Sequence, residues 1–140
     1  MKLQVEFNPT KVKAYRLLGY ENRMLRTQDF DNDTIDAGEM GAGHTVTALY
    51  EIIPSDSDEK VFDSPELRYQ KTDSVKFSNN NELMYIKFRY KDPEGTQSKL
   101  LKHVVYDANS NLTENFYFSA AVAEFGLLIR ESKYKGSASF

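Results

Sequence analysis

A mainly β fold of the α+β class, an antiparallel sandwich-like sheet carrying one long C-terminal helix, follows from three observations on this chain of 140 residues. Apolar and polar residues alternate in several runs between residues 2 and 106, the period of two that puts alternate side chains on one face of a strand. Turn formers separate these runs. From about residue 112 a proline-free stretch rich in helix formers follows instead.

Each element has its own signal. Leu3, Val5 and Phe7 alternate with Lys2, Gln4 and Glu6, and Asn8-Pro9 ends that strand. Ala14 to Tyr20 forms a second strand; Tyr15 to Leu25 also admits a helix, but Gly19 would interrupt it. Val46, Ala48, Tyr50 and Ile52 share a face whose reverse carries Thr45, Thr47 and Glu51, before Pro54 stops the run. Leu67 to Gln70 reads as a short strand. Met84, Ile86, Phe88 and Tyr90 oppose Lys87 and Arg89, Asp92-Pro93-Glu94-Gly95 turns the chain, and Leu100 to Tyr106 returns as the second arm of a β-hairpin. Asn111 as N-cap with Glu114 three residues later forms a capping box that opens a helix over about residues 112–134.

Length predicts a single module over residues 1–140, able to bury about two-thirds of its unfolded surface. Hydrophobic residues make up 40% and charged residues 28%, too apolar for a disordered tail. The net charge is -3 with basic residues scattered, so no continuous positive field grips phosphates and nucleic acid is not an expected partner. The absence of cysteine excludes disulfides, thiol catalysis and Cys-based metal sites and leaves the redox compartment open. No apolar run approaches the ~20 residues that span a bilayer, so direct membrane insertion is not expected.

The stretch from Ala14 to Ile53, AYRLLGYENRMLRTQDFDNDTIDAGEMGAGHTVTALYEII, joins two strand-like runs through an Asp- and Gly-rich centre. Together with LMYIKFRYKDPEGTQSKLLKHVVYD and NFYFSAAVAEFGLLIRESKYKGSASF it resembles the C-terminal domain of bacterial YfbK-like proteins, over nearly the whole chain. In those proteins the module follows a von Willebrand factor type A domain. The resemblance implies a non-enzymatic structural and interaction module bracing or orienting that upstream domain, at an extracytoplasmic location in the periplasm or cell envelope. It further implies that a signal or lipoprotein anchor lies upstream, that Met1 is an internal start, and that GSASF is a truncation or a frayed tail. The metal site of the type A domain, a DxSxS motif, is absent from this chain. A glycan- or peptide-binding module at the envelope is the alternative role.

The helix is the expected interaction element. Phe116, Ala120, Ala123 and Leu127 form one apolar stripe, and Phe118, Val122, Phe125 and Ile129 another on roughly the opposite side. One sheet face cannot cover both. The larger stripe is expected to pack on the module's own sheet; the smaller one, where alanines permit close approach, is left for the type A domain, another protein or a second copy of the chain, unless loops such as 55–64 cover it.

Four features invite a chemical reading. Asp29 to Glu39 carries alternate carboxylates like a calcium loop, but Thr34 stands where that loop needs glycine and Met40 where it needs a bidentate glutamate, so a solvated turn is expected. Gly38 to Thr45 matches a phosphate-binding loop except that His44 replaces the lysine, and a strand follows where a helix N-terminus is required. His44 and His103, with Glu39 and Asp107, have no spacing that brings them together for metal or acid–base work. Nine Phe and nine Tyr are expected to fill the core, although tyrosines at strand edges would suit sugar stacking. No catalytic residue, metal or cofactor is expected.

Overall fold

The computed structural model describes residues 1–20, 24–35, 37–59, 61, 81–108 and 111–139. Among these described residues five strands and one helix follow in order: β1 (Lys2–Phe7), β2 (Val12–Leu18), β3 (Leu49–Pro54), β4 (Glu82–Tyr90), β5 (Lys99–Tyr106) and α1 (Glu114–Ile129), with a 3-10 turn at Thr27–Asp29. The strands form two antiparallel sheets, one ordered β1-β4-β5 and the other pairing β2 with β3. The mainly β, α+β reading therefore holds. The strand expected at Leu67 to Gln70 lies outside the described residues.

The alternating sequence sorts the three-stranded sheet into two chemically different faces. Register sets Phe7, Met84 and Val105 in one cross-strand row, Val5, Ile86 and His103 in the next, and Leu3, Phe88 and Leu101 in a third. All three rows share one face. The reverse face carries Lys2, Arg89 and Leu100, then Gln4, Lys87 and Lys102. A bulge between Glu82 and Met84 shifts the register at the far end of the β4–β5 pair.

Asn8 redirects the chain from one sheet to the other. Its carbonyl accepts the amides of Lys11 and Val12, each at 2.9 Å. Its side-chain oxygen accepts the Thr10 amide at 3.0 Å and hydroxyl at 2.8 Å, a turn that asparagine makes readily. The side-chain amide donates to the Glu82 carbonyl at 2.7 Å and anchors the turn to β4. β2 thus leaves the first sheet and pairs with β3. It ends where Gly19 and Tyr20 both adopt positive φ, which settles the choice at Tyr15 to Tyr20 in favour of strand.

The two sheets meet through aromatics. The Phe7 ring lies 4.6 Å from that of Tyr15 and 5.5 Å from that of Tyr50, in tilted and edge-on arrangements. Phe7, Val12 and Phe30 are the buried hydrophobic residues among those described. The expectation that most aromatics fill the core is corrected: Tyr15, Tyr20, Tyr106, Tyr117 and Phe118 are among the exposed ones. The third strand begins at Leu49, leaving Val46 exposed, and includes Pro54, which pairs with Val12 at the end of the ladder where a missing N–H is tolerated.

Candidate functional site

The helix is shorter than its sequence signal. Thr113, not Asn111, is the N-cap: its hydroxyl oxygen accepts the Phe116 amide at 3.2 Å. Both residues have cap chemistry, and the competition is decided by the later one. Glu114 sits in the first turn, where the helix dipole favours a carboxylate. The helix stops at Ile129, because Glu131 adopts a positive φ and the Arg130 amide closes the last turn on the Gly126 carbonyl.

No residue of α1 is buried. This corrects the expectation that the larger stripe packs on the module's own sheet: Phe118 is 72%, Val122 54% and Ile129 60% exposed. The smaller stripe is better covered, with Ala120, Ala123 and Leu127 half-buried and Phe116 exposed. Small side chains lie on the better-covered side, and the bulky ones face out. The chain beyond the helix is tied to β2. Arg16 of β2 holds Tyr134, with its guanidinium carbon 3.9 Å from the ring centre and Nη2 donating to the Tyr134 carbonyl at 3.3 Å.

The acidic segment has become a buttress. Lys2, although buried, donates from Nζ to the carbonyls of Asp29 at 2.7 Å and Asn32 at 2.5 Å. Arg89 pairs with Asp31 at 2.5 Å and donates to the Ser98 hydroxyl at 2.7 Å, its guanidinium over the Phe30 ring. Lys91 donates to the Asp33 carbonyl at 2.8 Å, and Asp33 accepts the Ser98 amide at 3.2 Å. The Ser98 hydroxyl and amide hold the Asp33 carboxyl below its ordinary value. Asn32 caps Thr34 through its side-chain oxygen. Asp31 is thus engaged by Arg89 of β4, and Asp33 by donors of the β4–β5 connection. Between this segment and the β4–β5 turn lies an open groove of about 640 Å³ whose lining includes Lys2, Asp33, Glu39, Arg89, Lys91 and Asp92, charges of both signs.

The remaining candidates stand apart. His44 lies in an exposed turn closed on the Gly41 carbonyl, and His103 is exposed on β5 opposite Ile86. Asp107 pairs with Lys11 at 3.3 Å. Among the described residues, no three His, Cys, Asp or Glu side chains gather into a metal-holding group. No helix among them is long and apolar enough to cross a membrane. Sequence reasoning missed the anchoring pair Arg16 and Tyr134 and the buttress formed by Lys2 and Arg89, since partners 27 to 118 residues apart leave no local periodic signal.

Against known proteins, the family described as "Uncharacterized protein YfbK, C-terminal" matches residues 1–140. The chain is 37% identical over 143 residues to the uncharacterized protein YfbK of Escherichia coli strain K12. That match takes in the whole of this chain but 24% of the relative, so the chain spans about a quarter of that longer protein. No solved structure matches.

Proposed function

We propose that this chain, which belongs to the family of YfbK C-terminal domains, is a non-enzymatic structural and interaction module that braces or orients an adjacent von Willebrand factor type A domain. The observation that carries the reading is α1, apolar on two sides with none of its residues buried. A helix of that composition ordinarily lies between layers. Burying apolar surface contributes about 5 kcal/mol for every 200 Å², before the costs of association, so a modest contact suffices when both partners sit in one polypeptide.

Two further considerations support the reading. The E. coli relative is about four times longer than its matched segment, which leaves room in one chain for the partner. The resemblance supplies the partner's kind, a type A domain, and an extracytoplasmic setting. An enzyme is less well served, because His44 and His103 are exposed and neither lines the groove that holds Asp33, Glu39 and Asp92. The docking side in this reading is Phe116, Ala120, Ala123 and Leu127, of which Phe116 is exposed and the other three are half-buried in the isolated chain.

Side-chain oxidation footprinting tests this. The E. coli relative, carrying this chain in place of its own C-terminal quarter, is compared with the isolated 140 residues. Phe116 and Leu127 are expected to lose reactivity in the longer protein. Equal reactivity in both would sink the proposal.

A further inference from the structure

The groove between the acidic segment and the β4–β5 turn is also where β1 begins. Met1 lines it, together with Gly38, Glu39 and Met40 from one segment and Lys91, Asp92 and Pro93 from another. The Met1 nitrogen donates to the Gly38 carbonyl at 2.6 Å. The surroundings are already fixed: Lys91 holds the Asp33 carbonyl, while Asp92 pairs with Lys99 at 2.6 Å and accepts the Gly95 amide at 2.9 Å. The family is that of a C-terminal domain, and the chain matches 24% of the E. coli relative. In that relative, polypeptide precedes the counterpart of residue 1 and enters the domain at this groove.

The pairing of β1 determines what the groove offers such a segment. The Asn8 amide donates to the Leu83 carbonyl at 2.9 Å, one step beyond the pairing of Phe7 with Met84, so Asn8 and Leu83 are a hydrogen-bonded pair of the antiparallel ladder. Such pairs recur at every second residue, which makes Glu6 with Tyr85, Gln4 with Lys87 and Lys2 with Arg89 the bonded ones. Met1 is out of phase with them and turns its N–H away from β4, where Gly38 supplies the acceptor. That bond needs a single hydrogen, so a peptide amide at Met1 makes it as well as an ammonium does. One residue ahead of Met1, the ladder returns to the bonded phase opposite Lys91. On the same alternation the Lys91 amide and carbonyl face that position, and neither bonds to other backbone among the described residues.

We infer that the groove receives the polypeptide immediately ahead of residue 1, which runs as a backward extension of β1, pairs with Lys91 and is held against Gly38 to Met40. The segment joining this domain to the part that precedes it is then a strand of the sheet and not a free tether, and β1 sets the direction in which that part leaves. Strand pairing is backbone chemistry, so it demands little of the incoming sequence beyond the absence of proline where Lys91 is met. Preformed walls keep the cost of ordering on the incoming segment alone. The inference goes beyond the docking of α1 and does not rest on it, since a strand in this groove and a domain on the helix are separate contacts.

Amide hydrogen exchange tests it on the 140-residue chain and on the same chain preceded by the residues, about eight of them, that stand ahead of the matched segment in the E. coli relative. The Lys91 amide is expected to exchange about tenfold more slowly in the extended chain. The Gly95 amide, already bonded to the Asp92 carbonyl, is the internal reference and stays unchanged. Ala37→Trp places a bulky side chain on an exposed residue of the groove's lining and is expected to abolish the slowing with the fold intact. Should that variant lose its circular dichroism spectrum, proline in place of the residue directly ahead of Met1 removes the amide that the Lys91 carbonyl would accept, and is expected to reduce the slowing. Lys91 exchange equal in the two proteins, slowing shared equally by Gly95, or slowing that survives both substitutions would each overturn the inference. The short extension carries no domain for α1 to meet, so either result leaves the docking proposal to its own test.

Discussion

Arg16 on β2 and Tyr134, five residues beyond the end of α1, form the tie between the two-stranded sheet and the C-terminal segment. The guanidinium carbon lies 3.9 Å from the ring centre, Nη2 donates to the Tyr134 carbonyl at 3.3 Å, and the same guanidinium pairs with the Glu51 carboxylate on β3. Arginine is suited to this triple role because its planar fork stacks and donates at once. Arg16→Ala is expected to raise amide exchange several-fold at Glu131 to Lys135, with β2 and β3 unchanged and global stability reduced by about 1 kcal/mol or less. Arg16→Lys would restore the charge but not the stack. Exchange unaffected by Arg16→Ala would refute this role.

The buttress makes a second expectation. Arg89 carries Asp31, Ser98 and the Phe30 ring on one side chain, and its Nε is buried without a partner among the described residues. Arg89→Ala should cost about 1.5–3 kcal/mol in chemical denaturation and loosen residues 29–35. Acid acts on the same segment. Asp33 is held below its ordinary 3.8 by Ser98, so its contribution is present above that value and fades as pH falls through the lower folded value. The Ser98 amide resonance should shift over that acid range and stop doing so in Asp33→Asn. A titration unchanged by Asp33→Asn would contradict the assignment.

Alkali tests the aromatic joint. Burial, and then the neighbouring Tyr15, raise the Tyr50 phenol above its ordinary 10.0. A raised folded value means that its contribution is complete below 10.0 and is lost as pH rises through the folded value. Denaturation midpoints should therefore fall above that point in the wild-type chain, and fall less in Tyr50→Phe. Identical alkaline profiles would place the sensitivity elsewhere.

The same joint sets the mechanical weak point. Phe7 is one of three buried hydrophobic side chains among the described residues and touches both Tyr15 and Tyr50. Phe7→Ala should cost about 3 kcal/mol and separate the two sheets into independently exchanging units. A single cooperative transition with β2–β3 protection unchanged would show that the sheets are held by something else.

Local periodicity carried the strands well. Leu3, Val5 and Phe7 read as one face and form it, Tyr15 to Leu18 resolve as strand because Gly19 turns to positive φ, and the β4–β5 turn closes where Asp92 and Gly95 were expected to close it, with the Gly95 amide on the Asp92 carbonyl at 2.9 Å. Tertiary choices were not legible. Alternation fixes which residues share a face, but not what covers it, so the direction of the Phe118 stripe was misread while its existence was not. Helix ends depend on which of two good caps wins, and Thr113 prevailed over Asn111. The Asp29 to Glu39 segment shows the same division: its turn chemistry was evident from composition, whereas the role of Asp31 and Asp33 as anchors for Arg89 and Ser98 depends on pairings about sixty residues apart.

Calorimetric titration of this chain against the remaining three quarters of the E. coli relative, produced as a separate protein, tests the docking role of α1 most directly. The account predicts saturable binding with a negative heat-capacity change from apolar burial, weakened at least tenfold by Ala123→Glu and unaffected by Leu101→Lys. Absence of binding by the wild-type chain, or binding that survives Ala123→Glu undiminished, would contradict it.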